Sequence, residues 1–172
     1  DQANVVYTAT VFGGASFAVV DNLDLSGTNT QAGKVGAITN SGAAFEGIYF
    51  DLGEPIDLTT QNTVRMSFWS DAPISALLKL EEGTAGPIEL TANHGGTGWE
   101  EISFTFNSSE SYSRFTFFVD GPGTTAGTFY LDDIRQLDAS GEDNTPPVIT
   151  LNGEATIDLI VDTPFTDPGA IA

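Results

Sequence analysis

The sequence predicts an all-β fold, an antiparallel β-sandwich or jelly roll, on three observations. About ten short segments alternate apolar and polar residues, the period of a half-buried strand. Gly, Pro, Asn, Asp, Ser and Thr fill the pieces between them, which marks those pieces as turns. The spacing of the segments, near 8–14 residues, is that of hairpin-connected strands, and few stretches could be helical.

The segments run in order along the chain. Residues 4–11 (NVVYTATV) open the series, followed by 16–22 (SFAVVDN) and, after the polar stretch LDLSGTNTQAG, by 33–39 (GKVGAIT). Then come 45–53 (FEGIYFDLG), 63–70 (TVRMSFWS), 74–82 (ISALLKLEE) and 87–93 (PIELTAN). The last three are 99–107 (WEEISFTFN), 114–120 (RFTFFVD) and 128–137 (TFYLDDIRQL). Alternation assigns Val64, Met66 and Phe68 to a core face, with Ala76, Leu78, Leu80, Ile102, Phe104, Phe106, Phe115, Phe117 and Val119.

Composition bounds what the chain does. Of 172 residues, 24 are acidic and 5 basic, for a net charge of −19. That balance argues against nucleic acid, whose phosphates need clustered cations, and against anionic membrane surfaces. No apolar run reaches 18 residues, so membrane insertion is not expected. Cysteine is absent, which removes disulfides from the argument. The chain opens at Asp1 without an initiating Met or a signal peptide, as a mature or trimmed fragment does.

The first 138 residues are expected to form the sandwich domain, with 139–147 as a small, acidic, Pro-terminated linker. Residues 148–172 carry two short strand patterns, too little for a core of their own.

The faces turned away from the expected core mix aromatics with charge. They hold Tyr49, Arg65, Trp69, Lys79, Glu81, Trp99 and Arg114, with Asp51 and Glu101 as further candidate partners of the cations. Flat rings beside hydrogen-bonding charges suit a sugar: a ring stacks on the C–H face and the polar groups bond the hydroxyls. Tyr49, Arg65, Trp69, Lys79, Glu81 and Trp99 are the candidate ligand-binding residues. Phe45 and Tyr112, read as loop aromatics, would place binding at the edge instead.

An enzyme is not expected. His94 is the only histidine, and NHGGTG reads as a flexible Gly-rich loop, so no Ser-His-Asp set can be argued around it. The stretch GGTG is followed by neither Lys nor a helix, as a phosphate loop would be. The adjacent carboxylates of LEEG and WEEI face opposite ways and cannot flank one glycosidic bond.

The order of the motifs resembles a family of β-sandwich carbohydrate-binding modules with a galactose-binding-like jelly roll, found in secreted polysaccharide-utilisation proteins of bacteria. VVDNLDLSGTNTQAGKVG (19–36) is similar to that family's NP-x-x-S/T-G-x-N-T-S-x-x-V stretch, and FEGIYFDLGEPIDLT to its W-x-G-x-Y strand and P-I/L-D turn. LLKLE, TGWEEISFTF and TFYLDDI follow in the family's order. Leu23 stands where the family has Pro, Phe45 where it has Trp, and its early Phe-Glu pair is not seen.

The resemblance implies a noncatalytic module that binds a neutral β-glucan such as laminarin, a β-1,3-glucan. It also implies a structural calcium ion held by Asn22 or Asp24 in the first long loop and by Asp132 or Asp133 in the last strand. PPVITLNG and FTDPGA resemble the opening of immunoglobulin-like repeats of bacterial surface proteins. They imply a truncated neighbour domain, further domains on the same parent chain, and an extracellular or cell-surface setting. The alternative is a calcium-stabilised structural spacer or adhesion domain.

Overall fold

The computed structural model describes residues 8–138 and two short pieces, 150–151 and 170–171. Two five-stranded antiparallel sheets face each other across one core. The strands are β1 Thr10–Phe12, β2 Ser16–Asp21, β3 Lys34–Asn40, β4 Gly47–Asp57 and β5 Thr63–Ser70. They continue with β6 Ile74–Gly83, β7 Ile88–His94, β8 Gly98–Thr105, β9 Ser111–Phe118 and β10 Gly127–Leu137. The first sheet runs β1-β4-β9-β6-β7 and the second β2-β3-β10-β5-β8. No helix occurs among the described residues.

The all-β sandwich is therefore as the alternation predicts. Val64, Met66 and Phe68 of β5, Leu78 and Leu80 of β6, Ile102 and Phe104 of β8 and Phe115 and Phe117 of β9 are all buried in one cluster. Burying each of these large side chains contributes roughly 1.5–3 kcal/mol. Phe68 lies at the centre, 5.4 Å edge-to-face from Phe117 of the opposite sheet and 6.2 Å from Phe129 of the neighbouring strand.

Two sequence readings need correction. His94 does not sit in a flexible loop: it ends β7, is buried, and its Nε2 lies 3.0 Å from the Phe68 carbonyl and 2.9 Å from that of Gly98. The Gly96 N–H donates to Nδ1, so Nε2 carries the proton and the ring locks the 94–98 turn. Tyr112 is not a loop aromatic either: it is 1% exposed and belongs to the core, because β9 begins at Ser111.

Thr150–Leu151 pairs antiparallel with Ala170–Ile171. The rest of 139–172, where the linker and the immunoglobulin-like start are expected, lies outside the described residues.

Candidate functional site

Strand register places the outward side chains of the first sheet in rows. Tyr49 of β4 lies opposite Thr116 of β9, and Thr116 opposite Lys79 of β6. One row further on, Asp51, Arg114 and Glu81 stand side by side. On the other side of the Tyr49 row, Gly47, Phe118 and Leu77 align, with Phe12 of β1 opposite Gly47.

These rows form a connected face. The Arg114 guanidinium lies over the Tyr49 ring, 4.3 Å from its centroid. Its Nε donates to Asp51 at 2.7 Å and its Nη1 lies 3.3 Å from Glu82. Lys79 Nζ is 2.8 Å from Glu81 Oε1, and the Thr116 hydroxyl donates to the other Glu81 oxygen at 2.6 Å. Burial pushes the Glu81 carboxyl up. The hydrogen bonds from Lys79 and Thr116 and the charges of Lys79 and Arg114 outweigh that and hold it below the usual carboxylate range. Arg114 is raised further by its hydrogen bond to Asp51, against some desolvation.

Beside this polar half lies an aromatic one. Phe12 and Phe118 meet edge-on at 5.3 Å, Phe12 stacks toward Tyr49 at 6.4 Å, and Phe45 sits edge-on to Phe118 at 6.1 Å. Gly47 makes this possible. A Cβ there would stand 2.3 Å from the Phe117 carbonyl oxygen and 2.9 Å from the Phe12 ring.

Phe45 is 52% exposed and holds a left-handed φ of 56°, a conformation that costs a bulky residue of order 1–3 kcal/mol. Its neighbour Glu46 explains how it is held. The buried Glu46 carboxylate accepts from the Ser41 N–H at 2.6 Å, the Ser41 hydroxyl at 3.1 Å and the Ala43 N–H. These bonds close the 41–46 loop, and the Phe45 N–H ties it to Gly121 at 3.0 Å.

The six candidate ligand-binding residues therefore divide between two opposite faces. Tyr49, Lys79 and Glu81 come together on the first sheet. Arg65, Trp69 and Trp99 lie on the outer face of the second, because β5 and β8 belong to that sheet. Arg65 pairs with Glu101 at 3.2 Å. Trp99 is 3% exposed under the 22–33 loop, its N–H donating to Asn22 at 3.3 Å. Gly27 presses this loop down: with φ 55°, a Cβ there would meet the Trp99 carbonyl at 2.2 Å. The Trp69 N–H donates to Asp24 at 2.8 Å, and hydrogen bonds from Ser26 and then Trp69 hold the Asp24 carboxyl below its usual range.

Phe12, Phe118 and Thr116 were not among the candidates, although alternation in β9 does put Thr116 and Phe118 beside Arg114. Nothing local marks Phe12.

The four candidate metal ligands do not fit one calcium ion as a set. Asn22 donates to the carbonyls of Asn29 and Gln31 while its oxygen accepts from Trp99 and from the Asp24 N–H. Asp24 is turned to Trp69. Asp132 accepts from Asn29 at 2.9 Å, and Asp133 pairs with Arg135. Among the described residues no group of three or more His, Cys, Asp or Glu is placed to hold a metal ion.

No family model matches the chain, and no curated protein sequence does. Several solved structures share its fold. An exo-β-agarase superposes with a TM-score of 0.60 at 12% identity, over 86% of this chain and 24% of that one, so the chain spans about a quarter of the agarase. The family 11 carbohydrate-binding module from Clostridium thermocellum, in complex with a β-1,3-1,4-mixed-linked tetrasaccharide, gives 0.52 at 13% identity over 81% of this chain and 94% of that module. The C-terminal family 22 carbohydrate-binding module of Clostridium thermocellum Xyn10B gives 0.51 at 15%, over 82% and 92%. At such identities the likeness is one of fold: the two sheets and their strands are those of a jelly-roll sandwich that carbohydrate-binding modules also adopt.

Proposed function

We propose that the chain is a noncatalytic glycan-binding module and that the outer face of the first sheet is its binding face. The observation that carries this reading is the Tyr49–Arg114 pair set between Asp51, Glu81 and the Phe12–Phe118–Phe45 cluster. A pyranose offers an apolar C–H face and an edge of hydroxyls, and this face offers rings beside donors and acceptors. The cations are already engaged by carboxylates, which are in excess, so a neutral polymer suits the face and an anionic one is repelled. Among neutral polymers a β-glucan such as laminarin comes first, on the family resemblance of the motifs in 19–36 and 45–59. The same resemblance favours a role outside the cell or at its surface.

Native affinity electrophoresis tests this against laminarin, mixed-linkage β-glucan, xylan, mannan and alginate. Laminarin or mixed-linkage glucan retards the wild type, and Tyr49→Ala and Arg114→Ala each reduce the retardation strongly. Equal retardation of wild type and both variants would sink the assignment to this face. No retardation by any neutral polysaccharide would favour the spacer or adhesion role.

We keep calcium in the proposal on the resemblance alone, with Asn22 or Asp24 and Asp132 or Asp133 as its ligands. All four are hydrogen-bonded to protein groups, and the ion would displace some of those bonds. Melting in calcium against EDTA checks it: equal midpoints in the two would remove the ion.

A further inference from the structure

We propose that the groove on the outer face of the second sheet is a second binding site, taking one or two residues of a neutral sugar independently of the first face. The groove has a volume of about 610 Å³, within the range of ligand pockets. Trp69 and Tyr130 form one corner, their rings 5.2 Å apart and 71° to each other. The floor is made by Ala18, Val20, Val35 and Ala37, whose small side chains leave the space open. Leu23 is 92% exposed at the lip. A leucine so far in solvent gains from any apolar surface laid across the groove.

The polar groups select the ligand. The groove holds the Asp24 carboxylate and the hydroxyls of Thr39 and Thr128, which bond each other at 2.8 Å, while the Asp21 carboxylate at its edge is spent on Lys34. The N–H donors of Asn22, Trp69 and Trp99 are already spent on protein acceptors. The hydroxyls of Thr39, Thr128 and Tyr130 both donate and accept, and the Asp24 carboxylate only accepts, so a ligand that brings hydroxyl donors is favoured. Lys34, the cation beside the groove, is paired with Asp21, so a phosphate or carboxylate ligand has no counter-charge. A hydrocarbon would strip water from the Asp24 carboxylate and the threonine hydroxyls without replacing it. A quaternary ammonium would need rings on several sides, but Trp99 is 3% exposed and leaves only the two-walled corner. A neutral sugar ring meets all these conditions: its C–H face lies on Tyr130 and Trp69 while its hydroxyls donate to the Asp24 carboxylate and exchange hydrogen bonds with the Thr39, Thr128 and Tyr130 hydroxyls.

Asp24 has a positioning role in this. By accepting the Trp69 N–H it fixes the indole in its rotamer before any ligand arrives.

Both tryptophans of the chain line this groove and the first face has none, so tryptophan emission reports the groove alone. The test titrates laminaritetraose, mixed-linkage glucan tetrasaccharide, cellotetraose and xylotetraose, with tetramethylammonium chloride in a separate arm. A saturable emission change with at least one oligosaccharide is expected, with a dissociation constant of order 1 mM. It persists in Tyr49→Ala and weakens at least ~10-fold in Ala18→Arg, which fills the groove from an exposed position on an edge strand without removing a ring. Melting of Ala18→Arg close to wild type confirms that it folds; Val20→Lys, from the same strand, serves if it does not. No emission change with any oligosaccharide overturns the proposal, as does a change lost in Tyr49→Ala. A response to tetramethylammonium alone overturns it in favour of an ammonium corner. Since the first face is read by the loss of retardation in Tyr49→Ala and Arg114→Ala and the groove by emission and Ala18→Arg, failure of one leaves the other standing.

Discussion

Arg114 carries more of the candidate face than any other residue. It bonds Asp51, approaches Glu82 and covers Tyr49, so it fixes the ring against which a sugar would stack. Arg114→Lys keeps the charge but loses the planar fork and the ring contact. Glycan affinity in gel retardation is expected to fall ~10-fold, with a melting temperature near that of wild type. Phe45 offers a sharper separation of binding from stability. Its φ of 56° is strained for Phe and free for Gly. Phe45→Gly is expected to weaken retardation while thermal melting stays level or rises; a large drop in melting temperature would show that the ring is structural. Glu100 sets a pH dependence. The Gly95 N–H and the Thr97 hydroxyl donate to its carboxylate and hold its pKa down at about 2, against an ordinary value of 4.5. A depressed carboxylate stabilises the fold above its unfolded pKa and ceases to do so as pH falls through the folded one. Melting temperature should therefore fall between pH ~4.5 and ~2, and Glu100→Gln should flatten part of that fall.

At the scale of the element, β10 shows how local rules and sheet pairing meet. Two adjacent aspartates are poor strand residues. The register against β5 jumps between Asp132 and Arg135, so Asp133 and Ile134 bulge outward, with Asp133 at φ 52°. Past the bulge Arg135 falls opposite Arg65, a like-charge pair that Asp133 and Glu101 offset. Asp133→Gly is expected to change stability by less than ~1 kcal/mol, since an exposed ion pair is lost but the backbone is relaxed. Asp133→Val, β-branched in a left-handed conformation, should cost ~1–2 kcal/mol in denaturant unfolding. The alternation within β5, β6, β8 and β9 was legible residue by residue, because one buried face forces a period of two. The bulge was not, because it depends on which strand lies alongside.

For the whole molecule, a net charge of −19 leaves the sandwich folding against its own repulsion. Raising salt from about 0.01 M to 0.15 M shortens the screening length from about 30 Å to 8 Å, so the melting temperature should rise with added NaCl. A flat response would mean that local ion pairs already neutralise the field. At this scale the two aromatic-charged faces separate: one candidate set of six residues becomes two groups of three on opposite sides of the sandwich. The sequence by itself determined most of the described strands, the buried faces of β5, β6, β8 and β9, and the mixing of aromatics with charge on their other faces, Trp99 excepted, all of which follow from neighbours one or two residues apart. Only the tertiary structure decided that Tyr49 shares a face with Arg114 rather than with Trp69, that Tyr112 and His94 are buried, and that Phe12 completes the ring cluster. Those depend on the order of strands in each sheet, and that order is set by packing between segments tens of residues apart, which no local period records.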